Sequence, residues 1–96
     1  MLQQPIAATA PASGSDRRRW AAIFVAFPPR RYRIVDTEFD VVLLNKYAKY
    51  RDEDSAIENQ KEYYVAHVNE LYALLTNLEV DPESFNAPWH VEHPLL

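Results

Sequence analysis

Trp20 to Phe27 is a continuous apolar run with aromatic and β-branched residues, bounded by arginines on one side and Pro28-Pro29 on the other. Such a run predicts a buried strand, with a short helix as the competing assignment. Beyond the diproline, Arg31-Tyr32-Arg33-Ile34-Val35 places Tyr32 and Ile34 on one face and Arg31 and Arg33 on the other, the pattern of a half-buried strand. Prolines cannot adopt the positive φ of a type I′ turn, so the two strands are expected to meet at a corner rather than a tight hairpin. Their register stays open.

Asp36 or Thr37 can cap a helix, and Thr37-Glu38-Phe39-Asp40 satisfies the relaxed capping-box pattern. Phe39, Val42, Leu43, Tyr47 and Tyr50 then follow at helical spacing, with Val41, Leu44 and Ala48 beside them, a broad apolar surface suited to a helix packed on two sides. The alternative is a third strand over Asp40 to Leu44, because Val-Val-Leu-Leu fits a sheet equally well. After the charged break Arg51-Asp52-Glu53-Asp54, Ser55 and Glu58 form a second capping box. Ile57, Tyr64, Leu71 and Leu78 recur every seven residues, with Val68 and Leu75 between them and Val65 and Tyr72 widening the face. This pattern predicts a helix over 55–79, ended by Asp81-Pro82. At 1.5 Å per residue it would rise about 37 Å, more than so small a domain needs.

The ends differ from the middle. Residues 1–16 are small, polar and punctuated by prolines, which predicts an arm that is disordered alone or held by a neighbour. Residues 81–96 contain Pro82, Pro88 and Pro94 with Phe85, Trp89, Val91, Leu95 and Leu96 between them. They predict an extended arm docked on the chain's own helices or on a neighbour. The expected architecture is therefore a small α+β domain over 17–80, with two short N-terminal strands packed on two helices, the second long (about 55–79), and an arm at each end. An all-α fold is the alternative if Trp20 to Val35 is irregular.

At 96 residues one core is expected, and a chain this short buries about 60–70% of the surface its unfolded form exposes. A partner is expected to cover part of the rest. The single glycine, Gly14, excludes Walker-type and dinucleotide-binding loops, and the lack of cysteine excludes disulfides, thiolate nucleophiles and thiolate-bound metals. The apolar run 20–27, with the arginines before it, lies behind sixteen other residues and ends without a cleavage site, so it does not read as a secretory or twin-arginine signal. No window approaches the ~20 apolar residues of a membrane span. The expected location is cytoplasmic or within an assembled particle, with no membrane partner.

The net charge of −4 conceals two poles: residues 1–33 carry six arginines against Asp16 alone, whereas from Ile34 onward four basic residues face thirteen carboxylates. The basic part can pair with the chain's own acidic face or with a partner. His90, Glu92 and His93 lack the one-turn spacing of a helical zinc site, and His67 is distant in sequence, so surface histidines are the expectation and no metal or cofactor is assigned. Asp52, Glu53 and Asp54 read as a solvated turn rather than a calcium loop. No serine lies in a Gly-x-Ser-x-Gly frame, and no acid–base–nucleophile set is visible, so the chain is expected not to be an enzyme.

Three functions remain as expectations. The preferred one is a non-catalytic assembly subunit of a larger complex, for instance a small phage virion component, contacting other proteins including copies of itself. Trp20, Tyr64, Leu71, Trp89 and Leu96 are the expected anchors, and Arg30, Arg31 and Arg33 are expected to position a carboxylate-bearing partner. The first alternative is a small acidic regulator or inhibitor of a basic protein. The second is a nucleic-acid-binding accessory protein using the N-terminal arginines, disfavoured because no helix carries a basic recognition face.

Overall fold

A computed structural model describes residues 5–26 and 31–96. Four strands form one antiparallel sheet in chain order: β1 (Ile6–Ala10), β2 (Arg17–Val25), β3 (Tyr32–Asp40) and β4 (Ile57–Val65). Two helices complete the α+β fold, α1 (Val41–Ala48) and α2 (Val68–Asn77); an all-α chain is excluded by the sheet. The strands expected at 20–27 and 31–35 are the central pair, in the register Ile23↔Ile34 and Trp20↔Thr37. Phe27 to Arg30, and so the diproline corner, lie outside the described residues, as do Met1 to Gln4.

Alternation along the strands divides the side chains between two layers. On one face Ala8, Ala21 and Ile34 pack under Leu71 and Leu75 of α2 and Val80 after it. On the other, Trp20 and Phe39 pack with Ala56, Leu43 and Leu44 of α1, Ile57 and Val91, so the sheet carries a small core on each face where one core was expected. β2 is buried on both sides, which is why its sequence is a continuous apolar run instead of an alternating one.

Three expectations are corrected. The first helix does not begin near Thr37: β3 runs on to Asp40, whose Oδ1 accepts the Leu43 N–H at 3.1 Å and caps α1 from there. Thr37 is 2% exposed and donates its hydroxyl to Gln60 of β4, while Asp36 pairs with Arg19. Pairing on both sides of β3 supplies ladder hydrogen bonds that overrule the local capping signal.

The long helix over 55–79 does not form. A short 3₁₀ turn (Glu53–Ala56) leads into β4, and α2 has only ten residues. Ser55 donates its hydroxyl to Asp52 Oδ2 at 2.8 Å rather than capping a helix. Ile57 pairs with Phe39 and Tyr64 with Arg33 across a bulged ladder, so the first half of the seven-residue repeat belongs to a strand and only Leu71 and Leu78 belong to the helical layer. Polar side chains fill the middle of this segment because β4 is an edge strand; Glu58, Lys61 and Glu62 keep that edge charged. At about 15 Å, α2 is no longer than the core it covers, so the expected surplus of apolar helix is absent.

Residues 6–10 and the C-terminal segment are built into the fold. Ile6–Ala10 is not a loose arm but the edge strand β1, in which Ala7 and Ala8 are fully buried. Their small side chains let neighbouring layers approach the backbone closely. The C-terminal segment is not one extended arm: Phe85 packs against the cluster that holds Leu71 and Leu75 of α2, and Val91 against the one that takes Leu43 and Leu44 of α1. It turns twice (3₁₀ turns at Pro82–Ser84 and Pro88–Val91), closes the β1 edge through paired backbone bonds between Ala7 and Asn86 at 2.9 Å, and then crosses the Trp20 face of the sheet.

Candidate functional site

The C-terminal strap over the Trp20 face is the first surface of interest. Trp20 donates its indole N–H to the Val91 carbonyl at 2.7 Å and meets Phe39 edge-on, ring centroids 5.5 Å apart. The His93 ring lies against both, 5.7 Å from Trp20 and 6.3 Å from Phe39. Beyond it, Leu95 and Leu96 border a cavity of about 160 Å³ whose floor includes Ala22, Phe24 and Val35. Burial depresses His93, which titrates at about 4, because an imidazolium in this apolar setting would lose hydration.

The second surface lies on the α2 side. There Arg19 forks onto Asp36, Nε to Oδ1 at 2.6 Å and Nη2 to Oδ2 at 2.8 Å. The same guanidinium donates to the Leu78 carbonyl at the end of α2 and to the Pro11 carbonyl, both at 3.1 Å. One side chain thereby ties β2 to β3, to the α2 terminus and to the β1–β2 loop. The hydrogen bond to Asp36 raises the Arg19 pKa, against the opposing effect of burial. A polar hollow of about 400 Å³ opens beside this knot, bordered also by Ser13, Glu38, Asn59, Lys61 and Glu79.

Arginine pairing within the chain extends further. Arg17 lies among Asp16, Asp40 and Glu58, and Arg33 pairs across the sheet with Glu62. The hydrogen bond to Glu62 raises Arg33 most, and Tyr64 contributes to it as well. Arg33 also lies over Phe24, 5.1 Å from the ring centre. Arg18 stacks 5.0 Å from the Trp20 ring.

The expected anchor residues therefore separate. Trp20 and Leu71 are 1% and 8% exposed, one in each core, and serve the chain's own packing. Arg33 is occupied by Glu62, Arg31 is exposed without an ion pair among the described residues, and Arg30 lies outside them. Arg33 and Leu96 border the same cavity, and Tyr64 pairs with Arg33 in the ladder. Trp89 stays apart and is 64% exposed, with its ring tilted against His90. His67, at the α2 N-cap position, is remote in sequence from the strap; His90 is exposed and His93 is the histidine held under it.

Sequence patterns missed Arg19 and His93. Arg19 sits in a run of three arginines with no local sign that it alone meets Asp36. His93 sits among prolines, and its cage comes from β2 and β3, more than fifty residues away along the chain. No family model, curated protein or solved structure matches this chain.

Proposed function

We propose that the chain is a non-catalytic subunit of a larger assembly, acting through protein–protein contacts in which copies of itself take part. The observation that carries this is the outward apolar surface of the strap: Trp89 is 64% exposed and Leu95 and Leu96 more than 40% each, although the strap itself is docked. A large aromatic side chain presented in this way is the kind of group that dominates buried contact energy at interfaces. Val68 and Tyr72, one turn apart on the outer flank of α2, add a second exposed apolar pair. Support no longer comes from a long helix or from Arg33, whose charge Glu62 takes up within the chain.

Native mass spectrometry and light scattering on the full chain test the proposal. Oligomers that grow with concentration and are lost in Trp89→Ala are expected. A monodisperse monomer at the highest soluble concentration, unchanged by that substitution, overturns it.

The acidic-regulator alternative has one observation in its favour. Pairing of Arg17, Arg19 and Arg33 within the chain leaves Glu70, Glu79, Asp81 and Glu83, on and after α2, without ion pairs among the described residues. This reading predicts 1:1 capture of a basic protein that weakens steeply with salt. The same pairing removes support from nucleic-acid binding, because those three guanidinium groups already have carboxylate partners.

A further inference from the structure

The last residues of the strap are held by very little. Val91 is fixed by the Trp20 indole, and the His93 N–H donates to the Pro88 carbonyl at 3.0 Å. Among the described residues, the one hydrogen bond made by residues 94–96 runs from the Leu95 N–H to Nδ1 of His93, at 3.1 Å. Nδ1 can accept that bond only while it carries no proton. The bond therefore requires neutral imidazole, with the proton on Nε2.

We infer that His93 is a proton-operated latch: neutral, it holds Leu95 and Leu96 over the cavity on the Trp20 face, and protonated, it releases them and opens that face. Addition of a proton at Nδ1 turns an acceptor into a donor facing the donor N–H of Leu95. It also places a positive charge against the buried Trp20 and Phe39 rings, where it loses hydration. The charged and titratable groups on the surrounding elements give that charge little relief. Arg18 on β2 stacks on Trp20, and Arg33 on β3 borders the same cavity while paired with Glu62 of β4. Around α1, Asp40 is engaged by Arg17 and by the Leu43 N–H, and Lys46 is a further cation. Tyr64 of β4 interacts with Arg33, while His90 and Glu92 of the strap are exposed.

The direction follows from linkage. In the closed strap His93 is depressed to about 4 by burial, whereas a released strap returns it to the ordinary 6.5. Protons thus bind the open form preferentially. Closure is fully supported above about pH 6.5 and is lost as pH falls toward 4. After discounting for the partial exposure of His93, the open-to-closed ratio is expected to rise about 10- to 100-fold across that interval. The device is independent of the assembly proposal.

An NMR titration of the full-length chain between about pH 7.5 and 3.5 tests it, with Trp89→Phe leaving Trp20 as the sole indole. The His93 ring should titrate well below the ordinary 6.5 of a histidine. The Leu95 and Leu96 amides and the Trp20 indole N–H should move with the same midpoint, and Trp20 fluorescence should become accessible to quencher. Titration of His93 at the ordinary 6.5, or amides that stay still while it titrates, overturns the latch. His93→Phe keeps a ring against Trp20 and Phe39 but has no nitrogen to titrate, and it should lose the transition. Persistence of the transition in that variant also overturns the proposal, and if the variant fails to fold, the titration of the histidine-bearing chain decides.

Discussion

Substitution of Arg19 by methionine keeps an unbranched stem but removes the guanidinium, and with it two hydrogen bonds to Asp36 and one each to the Leu78 and Pro11 carbonyls. Hydrogen bonds involving a charged group contribute about 1.5–3 kcal/mol each in favourable settings, and truncation of one partner of a buried pair costs about 3–5 kcal/mol. The Arg19 and Asp36 side chains are 15% and 13% exposed and border an open polar hollow. Water can therefore reach the stranded carboxylate, and the expected cost falls to about 2–3 kcal/mol. That is a large part of the ~5–14 kcal/mol expected for a domain of this length. Urea unfolding measures it as a lower midpoint at unchanged slope, since no element should unfold before the rest. A second substitution, Asp36→Asn, removes the stranded charge. In the Arg19→Met background it should recover about 1 kcal/mol, and in the unsubstituted background it should cost stability. A loss under about 0.5 kcal/mol in Arg19→Met, or strict additivity of the pair, would refute the view that this fork joins four parts of the fold.

Two further outcomes follow from the same geometry. Trp20→Phe retains ring contact with Phe39 but loses the hydrogen bond to the Val91 carbonyl; a loss of about 1–2 kcal/mol is expected in thermal unfolding, with faster amide exchange confined mainly to the strap. Glu79 has φ of 60° just past the end of α2, where glycine carries no steric penalty. Glu79→Gly should therefore raise stability by about 0.5–1 kcal/mol, and a drop in the unfolding midpoint would contradict that account.

The central strands were legible because their signal is local and strong. Trp20 to Val25 is apolar at every position, and Tyr32 to Val35 alternates next to it, so neither needs knowledge of a partner to read as sheet. The second half of the chain misled for an equally physical reason. A period of seven is compatible with a helix, but Ile57 and Tyr64 are also compatible with a strand whose middle is polar because one edge meets water. Periodicity says how side chains recur, not whether a neighbouring strand offers its backbone. Once β3 does so, eight residues of β4 pair with it and the helix shortens to what the core can cover. The N-terminal alanines failed as a signal for the same cause: alanine is a weak strand former, yet at the β1 edge its small size is what allows close packing.

The amino-acid sequence by itself pointed to a small α+β domain, two adjacent strands near its start, opposite charge in the two halves, and a proline-marked apolar C-terminal segment suited to docking. Those properties depend on composition, on alternation over a few residues and on proline geometry, all local quantities. Tertiary structure alone decided that Arg17, Arg19 and Arg33 pair within the chain, that Trp20 and Leu71 serve its own cores, and that His93 comes to rest against Trp20 and Phe39. Each of these depends on strand register and on which face of the sheet a distant segment covers. A one-residue slip would reverse every side chain, so no reading of neighbours along the chain could place them.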